Sequence, residues 1–218
     1  MALAIFDLDN TLLGGDSDYL WGQYLVELGA VDAESYAKAN QKFYQDYIDG
    51  TLDNAAYLEF ALKPLAQHAP DLLHQWRADF IVDVIEPLVL PAARELVTEH
   101  HRRGDTSLII TATNRFITEP IAELFSIEHL LATELEQLED RYTGRPLGIP
   151  TFREGKITAL QEWVKQRDVD LAGSWFYSDS HNDIPLLEQV DHPVAVDPDE
   201  PLRQHAEQRG WPIISLRG

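Results

Sequence analysis

The stretch AIFDLDNTLL, residues 4–13, decides how the rest of the chain is read. An apolar run from Leu3 to Phe6 ends in two aspartates, Asp7 and Asp9, one residue apart, with Asn10 and Thr11 directly after them. The run is short, continuous and apolar, which is the pattern of a strand buried on both faces. Ending such a strand on two carboxylates creates a repulsion that the site must compensate. A hard divalent cation such as Mg²⁺, which prefers oxygen ligands, would do so. A carboxylate there can also attack phosphorus while its neighbour moves protons. For a D-x-D pair alone, a capped strand end leading into a turn is the competing explanation.

Other apolar runs end in the same way. Leu108–Ile110 runs into Thr111-Ala112-Thr113-Asn114, Trp175–Tyr177 into Ser178-Asp179, and Pro193–Val196 into Asp197, while Pro212–Leu216 closes the chain. Helical patterns lie between them at Ala92–Arg103, Ile117–Phe125, Lys156–Arg167 and Glu200–Arg209. This alternation predicts an α/β fold, a Rossmann-like parallel sheet flanked by helices. In such sheets ligands gather beyond the carboxyl ends of the strands, where all the polar endings fall. From Gly14 to Leu88 the alternation stops, and the pattern is helical only: Asp18–Leu28, Ala33–Ile48, Asn54–Ala66 and Leu72–Ile85. The expected organisation is an α/β catalytic core of residues 1–13 and 89–218 with an all-α cap, residues 14–88, inserted after the first strand. The cap aromatics Tyr19, Trp21, Tyr24, Tyr36, Phe43, Tyr44 and Tyr47 are expected mostly in its core. Leu131–Arg153, with Thr143-Gly144-Arg145-Pro146 inside it, reads as a short hairpin with a polar turn.

Composition removes whole classes of function. The chain has 218 residues, enough for a substantial core, and no cysteine, which excludes disulfides and thiolate metal sites and favours a reducing compartment. A charge of −20 with no basic cluster argues against nucleic acid. No apolar run approaches the ~20 residues of a membrane span, and no leader pattern opens the chain, so a soluble cytoplasmic monomer or homodimer is expected.

Three further groups bear chemistry. A hydroxyl at a strand end, Thr111, followed by backbone N–H groups entering a helix at Thr113 and Asn114, makes a cradle for an anion. Lys156 opens a helix, where the macrodipole disfavours it, and a neighbouring phosphate would explain its position. In Ser178-Asp179-Ser180-His181-Asn182-Asp183, Asp179 is a candidate metal ligand. Asp183, one turn on, would steady Lys156 or a metal-bound water, and Asn182 offers an amide to phosphate. His181, without a visible partner, reads as a loop residue.

In this order and at strand ends, these groups resemble the haloacid dehalogenase superfamily of phosphohydrolases, and within it the phosphoserine-phosphatase-like branch. The resemblance covers the whole chain. It implies Asp7 as nucleophile and Asp9 as general acid and base. It also implies phosphate binding by Thr111 and Lys156, and Mg²⁺ held by Asp7, the Asp9 carbonyl and Asp179. Asn182 and Asp183 match the branch's phosphate-contacting and supporting positions. The implied reaction is hydrolysis of a small phosphate monoester through an aspartyl phosphate, with transfer to a hydroxyl acceptor on the same fold as the alternative. A phospho-accepting signalling domain shares the residue types but has no 75-residue cap. Two departures stand out: Ser178 replaces the usual glycine, and no arginine precedes Arg77. The serine-specific members use a cap arginine to hold the substrate carboxylate, so phosphoserine itself fits poorly. Residues 14–88 carry 13 Asp and Glu against 4 Lys and Arg, a balance of −9. An acidic cap of this kind favours a leaving group with an ammonium and no acid, such as L-histidinol phosphate, with Asp16 pairing the amine.

Overall fold

The computed structural model describes residues 2–218. Strand β1 (Leu3–Phe6) is buried at every position, as its unbroken apolar run requires of a central strand. It pairs in parallel with β2 (Thr106–Asn114) on one side and with β6 (Trp175–Ser178) on the other. Beyond β2 lies β3 (His129–Thr133), and beyond β6 lie β7 (His192–Val196) and β8 (Ile213–Ile214). The order is therefore β3-β2-β1-β6-β7-β8, parallel throughout. The chain fills one half of the sheet before crossing to the other, so a topological switch point falls between β1 and β6, where ligands bind in open α/β sheets.

Four helices separate β1 from β2: α1 (Ser17–Glu27), α2 (Ala33–Ile48), α3 (Asn54–Gln67) and α4 (Pro70–Phe80). A π-helical turn, Ile81–Ile85, and a 3₁₀ turn, Glu86–Leu88, return the chain. The outgoing and returning segments meet at an antiparallel bridge between Leu13 and Val89, with Gly14 N donating to Leu88 O at 2.8 Å. These helices form the cap. The remaining helices, α5 (Pro91–Arg103), α6 (Arg115–Leu124), α7 (Glu154–Arg167), α8 (Ile184–Leu187) and α9 (Glu200–Arg209), cover the sheet.

Side chains alternate across each strand, so the core divides in two. Ala4, Phe6, Ile109 and Tyr177 pack with α5, α6 and the apolar faces of α1, α3 and α4. Leu3, Ile5, Leu108 and Phe176 pack with α7, α8 and α9. Each fully buried Phe, Ile or Leu contributes about 1.5–3 kcal/mol.

Apart from element ends (β8 is only Ile213–Ile214, and the helix read as Leu72–Ile85 passes into a π-helical turn after Phe80), the sequence reading differs from the structure in three places. Strand β2 continues through Thr111-Ala112-Thr113 to Asn114, because β-branched residues suit an extended chain, with a register shift against β3 after Ile110. Leu131–Thr133, read as the start of the hairpin, belong to β3 in the main sheet. The hairpin is β4 (Leu135–Leu138) and β5 (Arg141–Pro146), turning at Glu139-Asp140, both at positive φ, so Thr143–Pro146 lie on a strand. Finally, of the seven cap aromatics only Trp21 is fully buried, and α2 buries one residue, Asn40.

Two predictions follow from the packing. A Cβ on Gly155 would stand 1.9 Å from the Pro150 carbonyl oxygen, a backbone atom that cannot swing aside. Gly155→Ala is expected to cost about 3 kcal/mol in urea denaturation, the upper range for a point substitution. His100, 1% exposed, lies between Asp105 (3.0 Å) and the Tyr177 hydroxyl (2.9 Å). Burial holds its pKa below the ordinary 6.5, so below that pH the unfolded chain binds the extra proton and the folded one resists it. Stability is expected to fall as pH drops from about 7 to 5, and His100→Gln to flatten that slope.

Candidate active site

Asp7 follows β1 directly and stays in the sheet's hydrogen-bond ladder, its N–H donating to Tyr177 O at 2.9 Å. One oxygen, Oδ1, accepts from Lys156 Nζ at 2.8 Å, and no hydrogen bond within the described residues reaches the other. Lys156 reaches Asp7 from the first turn of α7 and also donates to Asp183 Oδ2 at 2.8 Å. All three groups are buried, with Lys156 at 4% exposure. Burial by itself would lower the lysine pKa, but the Asp183 and Asp7 charges outweigh it and hold the ammonium above its ordinary value. Asp7 is pushed up to about 7 by burial, against the pull of Lys156. Ser178 has a function that sequence alone did not expose: its hydroxyl donates to Asp183 Oδ2 at 2.7 Å, and a glycine there could not.

Asp9 lies just before the left-handed residue Asn10 (φ 58°) and faces three donors. Ser17 N, at the start of α1, and Thr113 Oγ1 donate at 2.6 and 2.8 Å, and Thr111 Oγ1 lies at 3.5 Å. Burial raises its pKa even against these bonds. Asp179 is reached by Thr11 Oγ1 at 3.2 Å through Oδ1, and its other oxygen accepts nothing among the described residues. Burial, then the Asp7 charge, raises its pKa well above the usual carboxylate range.

These groups floor a pocket enclosing about 620 Å³ of empty space, its mouth included. Asp7, Asp9, Thr111, Thr113 and Lys156 line it from below. Asp16, Asp18 and Tyr19 of the cap's first turn close one side, and Phe43, Tyr44, Tyr47 and Tyr57 roof it. The cap aromatics that sequence assigned to a core are thus largely the ligand wall. A readable signal existed: α2 carries three aromatics between Phe43 and Tyr47 yet only one large aliphatic residue, Ile48, so it had no material for a core face.

The structure brings Asp7, Asp9, Thr111, Thr113, Lys156 and Asp16 together, with Asp179 and Asp183 beside them. Asp16 has a second duty, capping α1 by accepting from Tyr19 N at 2.8 Å. Two predicted residues are engaged elsewhere. The Asn114 oxygen caps α6 through Ile117 N at 3.3 Å. The Asn182 oxygen accepts from Arg153 Nε at 2.9 Å, and its amide nitrogen donates to Ser180 Oγ at 3.2 Å. Arg153, which sequence reasoning passed over, also donates to Gly50 O of the cap at 2.7 Å and so ties cap to core. His181, read from sequence as a loop residue without a partner, instead opens a 3₁₀ turn, His181–Asp183, with its Nδ1 2.6 Å from Asp199 Oδ2.

A sequence profile of the haloacid dehalogenase-like hydrolases matches residues 4–188. A histidinol-phosphatase of Neisseria meningitidis is 45% identical over 219 residues, covering 99% of each chain. Phosphoserine phosphatase SerB1 of Mycobacterium tuberculosis is 30% identical over 99% of this chain and 71% of its own. Among solved structures, a protein of unknown function from Bordetella pertussis superposes with a TM-score of 0.93 at 43% identity, covering 99% of this chain and 98% of that one. A substrate-bound phosphoserine phosphatase shares the fold at 16% identity, with a TM-score of 0.73 over 98% and 92% of the chains. The chain belongs to the haloacid dehalogenase-like hydrolase family. Its kinship there is with phosphatases, and it is an enzyme of that class.

Removing the Lys156 charge leaves two buried carboxylates facing one another. Lys156→Met is expected to cost about 3–5 kcal/mol in urea denaturation at pH 8 without divalent cations.

Proposed function

We propose that the enzyme hydrolyses a small phosphate monoester through a phosphoryl group carried on Asp7. The observation that carries this reading is the state of Asp7, which lines the pocket floor: one oxygen is fixed by Lys156, and no hydrogen bond among the described residues reaches the other. In the first step that free oxygen attacks phosphorus while the bond to the leaving oxygen breaks. Asp9, whose pKa burial raises above the ordinary carboxylate value, protonates the departing alkoxide. In the second step Asp9, now ionised, takes a proton from water, and the water oxygen attacks the same phosphorus. The bond between phosphorus and Asp7 breaks, and inorganic phosphate leaves. Lys156 and the Thr111 hydroxyl hold the equatorial phosphoryl oxygens. Asp183 and Ser178 position Lys156, while Asn114 and Asn182 support the loops around it.

Mg²⁺ fits the donors present. Asp7 is close enough to Asp179 for its charge to raise the Asp179 pKa, and each keeps an oxygen that no hydrogen bond among the described residues reaches. Two carboxylates, the Asp9 carbonyl and waters would suit a hard octahedral ion. When bound, it would neutralise charge on the phosphoryl group.

The leaving group is proposed to carry an ammonium and no carboxylate, L-histidinol phosphate being the leading example. Among the described residues lining the pocket, Lys156 is the sole Lys or Arg, against Asp7, Asp9, Asp16 and Asp18. With Lys156 spent on the phosphoryl end, a substrate carboxylate would meet no cation, whereas an ammonium would meet Asp16. The 45% identical histidinol-phosphatase supports this choice.

Asp7→Asn is expected to reduce turnover to background with the fold intact by circular dichroism. Asp9→Asn should lose about 10²–10⁴-fold in kcat. EDTA should abolish activity, with Mg²⁺ restoring it and Ca²⁺ failing to. Near-normal turnover by Asp7→Asn would exclude the covalent route.

A further inference from the structure

The pocket contains a second cap carboxylate that the reaction above leaves unused. Asp18 sits in the first turn of α1, where an acid merely favouring the helix dipole would face solvent. Instead it is half-buried in the pocket wall. The Asn114 amide of β2 in the core donates to it at 3.5 Å, and Tyr57 of α3 in the cap lines the pocket close enough for the two groups to shift each other's pKa. No Lys, Arg or His among the described residues pairs with it. Aromatic faces share the same space, and the Phe43 and Tyr57 rings pack edge to face with centroids 5.5 Å apart.

A carboxylate reached by one neutral amide and set beside aromatic faces has a defined complement. Its free oxygen capacity takes an N–H in the plane of a ring, and the aromatic neighbours take that ring's π surface. We propose that Asp18, with Tyr57, is the specificity-determining pair that reads a planar N–H heterocycle on the leaving group, at a point distinct from the ammonium beside Asp16. The substrate class is then narrower than amino-alcohol phosphates at large. It comprises those that bear both a primary ammonium and a nitrogen ring such as imidazole. This rests on the phosphatase reading of the same pocket and adds the second anchor to it.

The test compares kcat/KM for L-histidinol phosphate, phosphoethanolamine and p-nitrophenyl phosphate on wild type, Asp18→Asn and Tyr57→Phe, with Mg²⁺ present. Phosphoethanolamine has the ammonium without a ring, and p-nitrophenyl phosphate has a ring without an N–H. Asp18→Asn is expected to lower the value for histidinol phosphate at least about tenfold more than for either control, because an N–H donor loses its charged partner. Tyr57→Phe, which keeps the ring packing and reports even if Asp18→Asn fails to fold, should lower it about threefold to tenfold more. Equal loss on all three substrates, or an unchanged ratio, would overturn the proposal. Calorimetric titration with L-histidinol and with ethanolamine separates this question from the chemistry. If wild type turns over none of the three, the phosphatase reading falls. The pair is still supported if histidinol binds wild type at least about tenfold more tightly than Asp18→Asn, and it is refuted if the two bind it alike or not at all.

Discussion

One ammonium group joins parts of the chain that are far apart in sequence. Lys156 Nζ stands 2.8 Å from Asp7, after β1, and 2.8 Å from Asp183, after β6. Removing an ammonium and two carboxylates from water costs several kcal/mol per ion, and the loss is recovered only when the geometry is held. The rest of the core domain supplies that hold. β1 and β6 are neighbours in register, α7 is seated by a close glycine contact, and the Ser178 hydroxyl fixes the second carboxylate. The site is therefore built as much by the sheet's topology as by its own residues. A chain of net charge −20 assembles one buried cation at the place where an anion is to be bound.

That arrangement was partly legible in the sequence, and the reasons are physical. A strand buried on both faces leaves an unmistakable apolar run, and a carboxylate at its end contradicts the run sharply enough to be noticed. Leu3–Phe6 with Asp7 and Trp175–Tyr177 with Asp179 could both be read in this way. Helix α6, after β2, was readable because its apolar periodicity is strong, and α9, whose periodicity is weaker, was still bounded to the residue. What could not be read depended on partners chosen in three dimensions. Asn114 and Asn182 have the chemistry to meet phosphate, yet each amide is taken by a nearby donor or acceptor. Ser178 looked like a tolerated replacement for glycine until its hydroxyl was seen to reach Asp183. The aromatic residues of α2 carry the same hydrophobic signal whether they fill a core or line a cavity. Only the shortage of aliphatic neighbours separates the two cases.

The division of labour in the cap follows from the same shortage. Helices α1, α3 and α4 share one continuous apolar cluster with the sheet, so they are anchored as firmly as the core domain itself. Helix α2 is attached differently. Its single buried side chain, Asn40, donates to the Tyr19 carbonyl at 2.9 Å beside Gly22, and the rest of its hold comes from half-buried rings such as Tyr44 stacked on Tyr19. Local opening is drawn from the elements with least buried apolar surface. By that measure α2 is the cap helix with least buried apolar hold, so its lifting would widen the pocket that Phe43, Tyr44 and Tyr47 line while the other cap helices keep their shared core with the sheet.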